Sequence, residues 1–241
     1  MFKRCFFIAY FLGLSIFFTP GNVCAQSSRE AILISHVENS ILRAERNESK
    51  LSPAVISLPG MSSSKIRHFL NNICSMPGTS YLEIGVYKGS TFISALYRNE
   101  SRIQNAIAID NWSEFEGPKL EFDANCMKFL TGRNHKFYSA DSFSLDKGAI
   151  FSKPVNVYFY DGNHSELSQE LALTYYDDVL DDLFVLIVDD YNWEWVEAGT
   201  IKGLQKMNYE VLFSRHLPAR FNQDTENWWN GLYVAVISKK N

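Results

Sequence analysis

Beyond its first eighteen residues the chain has no apolar run long enough to cross a membrane, and it has no run of lysines and arginines. The first absence excludes a membrane-spanning helix past the N-terminus, since such a helix needs about 20 consecutive apolar residues. The second, with 23 Lys and Arg against 27 Asp and Glu, argues against a nucleic-acid-binding surface. Cysteine is scarce at four residues, and no Cys/His spacing matches a zinc site. There is no internal repeat and no low-complexity segment.

At the N-terminus Lys3 and Arg4 precede an apolar run from Cys5 to Phe18, then Pro20, Gly21 and Val23-Cys24-Ala25. A positive start, an apolar centre and a small-residue exit read as a secretory signal peptide over 1–25, cleaved after Ala25. The protein is then exported, periplasmic or secreted, with no membrane contact after cleavage; left uncleaved, the leader would be an anchor. The remaining 216 of the 241 residues suffice for one sizeable core. Cys74 and Cys126 are the two cysteines outside the leader, and one disulfide or two separate buried thiols both fit. Asn-x-Ser sequons begin at Asn47, Asn99, Asn111 and Asn163. Two of these fall at strand ends facing the expected ligand crevice, so they read as chance matches.

Residues 26–62 read as an N-terminal helix (28–46) and a Pro/Ser-rich connector, and 63–241 as the main domain. An amphipathic helix is expected over 63–76, stopped by Pro77-Gly78. Strands are then expected at 80–84, 105–109, 136–139, 155–160 and 183–188, separated by helices at 90–98, 118–131, 164–180 and 194–206. Two further strands fit 209–217 and 232–238. The late strands are continuously apolar (Val155–Tyr160, Leu183–Val188), as expected of a parallel sheet covered on both faces. The expected fold is α/β, a doubly wound, mostly parallel, Rossmann-like seven-stranded sheet.

The organising stretch is Tyr81-Leu82-Glu83-Ile84-Gly85-Val86-Tyr87-Lys88-Gly89-Ser90-Thr91. It reads as strand, glycine turn and helix start, a place where backbone N–H groups can meet an anionic ligand group. Position 87 is Tyr and 90 is Ser, so this is not the three-glycine dinucleotide fingerprint. Downstream, nearly every strand ends in an acid: Asp110, Asp141, Asp161 and the pair Asp189-Asp190. Each alone could equally cap a helix. Together they would crowd one rim of one sheet, where open α/β folds bind ligands.

The set Glu83, Gly85, Gly89, Asp110 and Asp141 resembles the cofactor half of the class I S-adenosylmethionine-dependent methyltransferases, over about residues 60–240. The resemblance implies S-adenosylmethionine as cofactor. Glu83 would face its methionine end, Gly85, Gly89 and Ser90 would form the turn around it, Asp110 would accept the ribose hydroxyls, and Asp141 with Ser142 would reach the adenine.

The cluster Asp161-Gly162-Asn163-His164 with Asp189-Asp190 resembles the metal-dependent O-methyltransferases, of catechol and macrocin type. That implies Asp161, Asp189 and Asp190 as ligands of Mg²⁺ or Ca²⁺ and His164, with Asp161, as the proton-handling residues. Two departures stand out: Asn163 replaces an acid usual in relatives, and Asp181-Asp182 replaces a Gly-Gly before the fifth strand. Trp193, Trp195, Trp228 and Trp229 are candidates for a wall over an acceptor, although ordinary core packing also fits them. His216 and Arg220 are similarly placed.

The expectation is methyl transfer to a hydroxyl of a small molecule or sugar. S-adenosylmethionine is made in the cytosol, which sits uneasily with an export signal. A non-catalytic exported module binding a nucleoside, a sugar or Ca²⁺ therefore stays open, as does a homodimer.

Overall fold

The computed structural model describes residues 20–130 and 134–239, with side chains from residue 27 onward. The leader read over 1–25 falls mostly outside the described residues. The chain opens with α1 (Pro20–Glu45), a one-turn α2 (Pro53–Ile56) and α3 (Ser64–Ile73). It then alternates β1 (Thr79–Ile84), α4 (Ser90–Leu96), β2 (Ile103–Asp110), α5 (Lys119–Phe129), β3 (His135–Ser139), α6 (Lys147–Ile150) and β4 (Val155–Tyr160). It closes with α7 (Glu166–Thr174), β5 (Leu180–Val188), α8 (Glu194–Lys206), β6 (Glu210–Leu217) and β7 (Leu232–Ser238).

All seven strands join one sheet in the order β3-β2-β1-β4-β5-β7-β6. β1 to β5 run parallel, and β7 is antiparallel to both β5 and β6. The chain winds from β1 outward through β2 to β3, then returns to place β4 on the other side of β1. That reversal leaves a crevice beyond the carboxyl ends of β1 and β4.

Strand side chains divide between two cores with a period of two. On one face Tyr81, Ala106, Val157, Phe159 and Val185 pack with Val37 of α1, Phe69 of α3, Phe92 of α4 and Phe122 of α5. On the other, Leu82, Ile84, Ile107, Tyr158 and Leu186 pack with Leu173 of α7 and Val196 of α8. Full burial of each such side chain is worth about 1.5–3 kcal/mol. Truncating Phe92 or Phe122, both fully buried, would cost about 3–5 kcal/mol.

Two helices depart from expectation. α3 is not half-exposed: Ile66 through Ile73 are all buried, because α1 lies across its outer face. Its polar residues are satisfied inside. Arg67 donates to the carbonyls of Ile56 and Leu58, Asn71 to those of Ser94 and Tyr97, and Asn72 to that of Glu48. The helix expected over 164–180 is shorter: Ser165, in extended conformation, caps α7 by accepting the Ser168 N–H. His164 is thereby left outside the helix, free to face the crevice. Cys74 and Cys126 are separate, buried thiols. Asn99 is fully buried with its amide spent on the carbonyls of Asn71 and Ala95. No helix among the described residues is long and apolar enough to cross a membrane.

Candidate active site

At the crevice lies a cavity of about 660 Å³, lined from the ends of β1, β2, β4 and β5 and from the loops beyond them. Asp110, Glu114, Asp141, Asp161, Asp189 and Asp190 line it, and among the described residues no Lys or Arg does. Asn111 and Asn163, two of the sequon asparagines, also face it. Six of the residues held at positive φ without being glycine are in its wall: Tyr87, Trp112, Phe115, Asp190, Gln223 and Trp229. Such conformations cost roughly 1–3 kcal/mol each and persist only where surrounding contacts over-determine them, which is typical of binding sites.

One half of the cavity is organised by Asp110. Its Oδ2 accepts the N–H groups of Val86 and Tyr87 at 2.9 and 3.0 Å, and its Oδ1 that of Trp112 at 2.7 Å. The carboxylate thus ties the glycine turn after β1 to the loop after β2, with lone pairs remaining toward the cavity. Gly85 is in the left-handed region at φ 81°, and a Cβ there would fall 1.9 Å from the carbonyl oxygen of Asp161. Only glycine lets the ends of β1 and β4 approach this closely. Asp141 accepts the Phe143 N–H at 2.7 Å, and Ser142, Phe143 and Asp141 all line the cavity. Above them Tyr87 and Phe115 meet edge to face at 5.4 Å.

Three expected cofactor residues are placed elsewhere. Glu83 is fully buried under the turn, accepting hydrogen bonds from Tyr81 Oη and Thr91 Oγ1, both at 2.5 Å. Burial outweighs those two bonds and pushes its carboxyl up to about 8. It supports the turn from below and does not face the cavity. Gly89, at φ 84°, would place a Cβ 2.9 Å from the Phe122 ring, so it serves the packing of α5. Ser90 is covered by the loop at Gly60, where a Cβ would lie 2.0 Å from Ser90 Oγ. What keeps Gly89 and Ser90 out of the cavity lining is packing that arrives from distant segments.

The other half holds the acid cluster. Asp161, His164 and Asp190 bring one ligand atom each within 4.8 Å of one another. His164 Nε2 lies 2.6 Å from Asp190 Oδ2 and 3.8 Å from Asp161 Oδ1. The contact is short but off the line of an aligned hydrogen bond, making it an ion contact. Burial would lower the imidazole; the two carboxylates outweigh it and hold its pKa well up. Asp161 and Asp189 are also raised, chiefly by burial and then by neighbouring carboxylates. Asp189 is 2% exposed and its Oδ1 has no hydrogen-bond partner. A buried carboxylate oxygen without a partner is costly. Of the expected trio, Asp161 and Asp190 belong to this close group, with His164 as its third member in place of Asp189, which lines the cavity without joining it.

Of the four tryptophans, Trp193 and Trp229 line the cavity. Trp193 meets His164 edge to face at 5.0 Å. Trp195 is 52% exposed outside it, against Trp193. Trp228 is core, packed on Phe69. His216 is bound to Asn192, and Arg220 is spent on Asp224 and Glu226, so neither lines the cavity. Asn222, Gln223 and Asn230 from the β6–β7 loop do line it, and sequence reasoning missed them because only a long-range return brings that loop over the sheet rim. Their one local signal is the polar, aromatic composition of 218–231.

Solved structures share this architecture. The O-methyltransferase from Bacillus cereus, solved in complex with SAH, matches over 85% of this chain and 91% of its own at a TM-score of 0.55 and 11% identity. Cofactor-bound Rv0187 from MTB matches over 85% and 90%, with a TM-score of 0.54 and 14% identity. TrmN from Thermus thermophilus matches over 78% of this chain at a TM-score of 0.54 and 13% identity; this chain covers about half, 52%, of that longer protein. No protein-family model and no curated protein matches the chain. At these identities the likeness establishes the fold, and this chain has the Rossmann-like methyltransferase fold.

Proposed function

We propose that the protein transfers the methyl group of S-adenosylmethionine to a hydroxyl of a small molecule or sugar, with a divalent cation assisting. The observation carrying this reading is that Asp110 and the Asp161/His164/Asp189/Asp190 cluster line opposite halves of one cavity at the sheet's switch point. When bound, S-adenosylmethionine supplies an electrophilic methyl group on a sulfonium sulfur. The Gly85 turn, Asp110, Asp141 and Ser142 are suited to hold its nucleoside and methionine portions.

The second half fits Mg²⁺ or Ca²⁺ through its hard oxygen donors, and above all through the buried, unpartnered Asp189 Oδ1. Such an ion supplies a Lewis acid to an acceptor hydroxyl. Asp161, Asp189 and Asp190 would hold it. Asp161 of the Asp161–His164 pair would take the hydroxyl proton of an acceptor bound there, with His164, kept protonated by the neighbouring carboxylates, orienting it. Trp193 and Trp229 offer faces to an acceptor, and Asn222, Gln223 and Asn230 offer hydrogen bonds. With no lysine or arginine in the lining among the described residues, these favour an uncharged, hydroxylated acceptor over an anionic one. We further propose that the leader exports the protein, so that the donor must be met outside the cytosol or before export.

The test is thermal unfolding of the full chain with S-adenosylmethionine or its demethylated product, each with and without Mg²⁺. Binding to the folded state alone raises stability by about 2.7 kcal/mol at a hundredfold excess over the dissociation constant. A shift with either nucleoside that Asp110→Ala removes is the expected result. No shift in a folded protein would sink the reading and bring forward a non-catalytic module.

A further inference from the structure

The β6–β7 loop supports itself. Asp224, whose side chain is fully buried, accepts Arg220 Nε at 3.0 Å and Nη2 at 3.2 Å, and Asn227 Nδ2 at 2.8 Å. Its backbone pairs in both directions with that of Trp229, at 3.0 and 3.1 Å. From this closed unit Asn230 turns into the site, 6% exposed. Its Oδ1 accepts the Gln223 N–H at 2.7 Å and its Nδ2 donates to Asp190 Oδ1 at 2.6 Å. The backbone follows the same path: Asn192 N–H donates to the Asn230 carbonyl at 3.0 Å, and Tyr191 N–H to that of Gly231 at 3.0 Å.

Asp190 needs this support. It sits at φ 58°, a conformation that a non-glycine residue keeps only when its surroundings impose it. Its two carboxylate oxygens have different neighbours: Oδ1 meets the Asn230 amide and Oδ2 meets His164.

We propose that Asn230 is a positioning residue, whose amide binds one oxygen of Asp190 to the rigid loop and so presents only the other to His164 and the cavity. The inference rests on reading this cluster as the reacting centre. The amide's orientation is dictated by its partners, since a carboxylate can only accept and the Gln223 N–H can only donate. Asn230→Asp keeps the acceptor for Gln223 but sets one carboxylate against another. It therefore disturbs Asp190 while sparing the loop bond. Asn227→Ala does the reverse, weakening the loop at Asp224 without touching Asp190.

The experiment is two-dimensional NMR of imidazole nitrogens in the full chain labelled with ¹⁵N-histidine, at fixed pH and with chelator present. The His164 signals are assigned by their loss in His164→Gln. Asn230→Asp should move the His164 signals and leave those of His36, His68 and His135 in place, while Asn227→Ala leaves His164 unmoved. Should Asn230→Asp not fold, Asn230→Ser removes the same hydrogen bond without adding charge and gives the same readout. Unmoved His164 signals in a folded Asn230 variant would overturn the proposal, as would an equal movement in Asn227→Ala. Because no turnover is needed, failure of S-adenosylmethionine to bind would remove the methyl-transfer reading while a moved His164 signal still upheld this one.

Discussion

The Asp110 side of the cavity is built at the strand ends themselves, with Asp110 at the end of β2 gathering the N–H groups of Val86 and Tyr87 beyond β1 and of Trp112. The Asp190 side leans on the returning β6–β7 loop: Asp190 is held by Asn230, and Trp193 Nε1 donates to Asn222. On the first side backbone N–H groups converge on one carboxylate. On the second, side chains from a returning loop meet the ends of β4 and β5. The first wall needs only the strand ends and the turns that leave them, whereas the second also needs the β6–β7 loop. The comparison teaches that one half of the cavity is set by the sheet itself and the other by a loop laid over it.

The comparison breaks most sharply at Asp110. Asp110→Ala strands three N–H groups, each of which gains about 1.5–3 kcal/mol from a charged acceptor. Calorimetry should show S-adenosylmethionine binding weakened by roughly a hundredfold or more, about 2.7 kcal/mol. On the opposite wall, Asp189→Ala should reduce the Mg²⁺ effect on unfolding by about tenfold in affinity while leaving donor binding intact. Loss of both together would mean that the two halves are not separate.

A third measurement concerns the floor beneath the glycine turn. Glu83 is raised to about 8 from an ordinary 4.5, mainly by burial. The folded state therefore binds a proton that the unfolded state has released across that window. Stability should be greatest below about pH 4.5, fall as pH rises toward 8, and level off above it, by at most about 1.4 kcal/mol per pH unit from this group. Urea unfolding across pH should show a shallower slope in Glu83→Gln. The smallest effect is expected at Trp195, half-exposed and outside the cavity. Trp195→Ala should change stability by under about 0.5 kcal/mol and leave donor binding unaltered.

The same division explains what sequence could reveal. The bounds of α8 and β4 agree with the sequence reading, because apolar runs and flanking turns are local signals. Gly85, Asp110 and the acids after β3, β4 and β5 were legible for the same reason: strand-end position is a property of the strand itself. Glu83 was misplaced because strand alternation says which face a side chain takes, but not that Tyr81 and Thr91 occupy its oxygens. Ser90 was misplaced because its cover, the Gly60 loop, comes from thirty residues away. Asn230 was invisible because its meaning resides entirely in Asp190, forty residues upstream.

One consequence remains in the cavity's charged lining, which among the described residues is made of carboxyl groups and His164. S-adenosylmethionine carries a sulfonium charge that its demethylated product lacks. On the proposed function, walls rich in carboxyl groups, with no lysine or arginine among the described residues, would favour the donor before transfer and release their hold on the product after it. Turnover would then be eased by the reaction's own loss of charge, and product inhibition would be weak. Added salt should narrow the gap between the two affinities, since screening acts on the charged ligand more than on the neutral one.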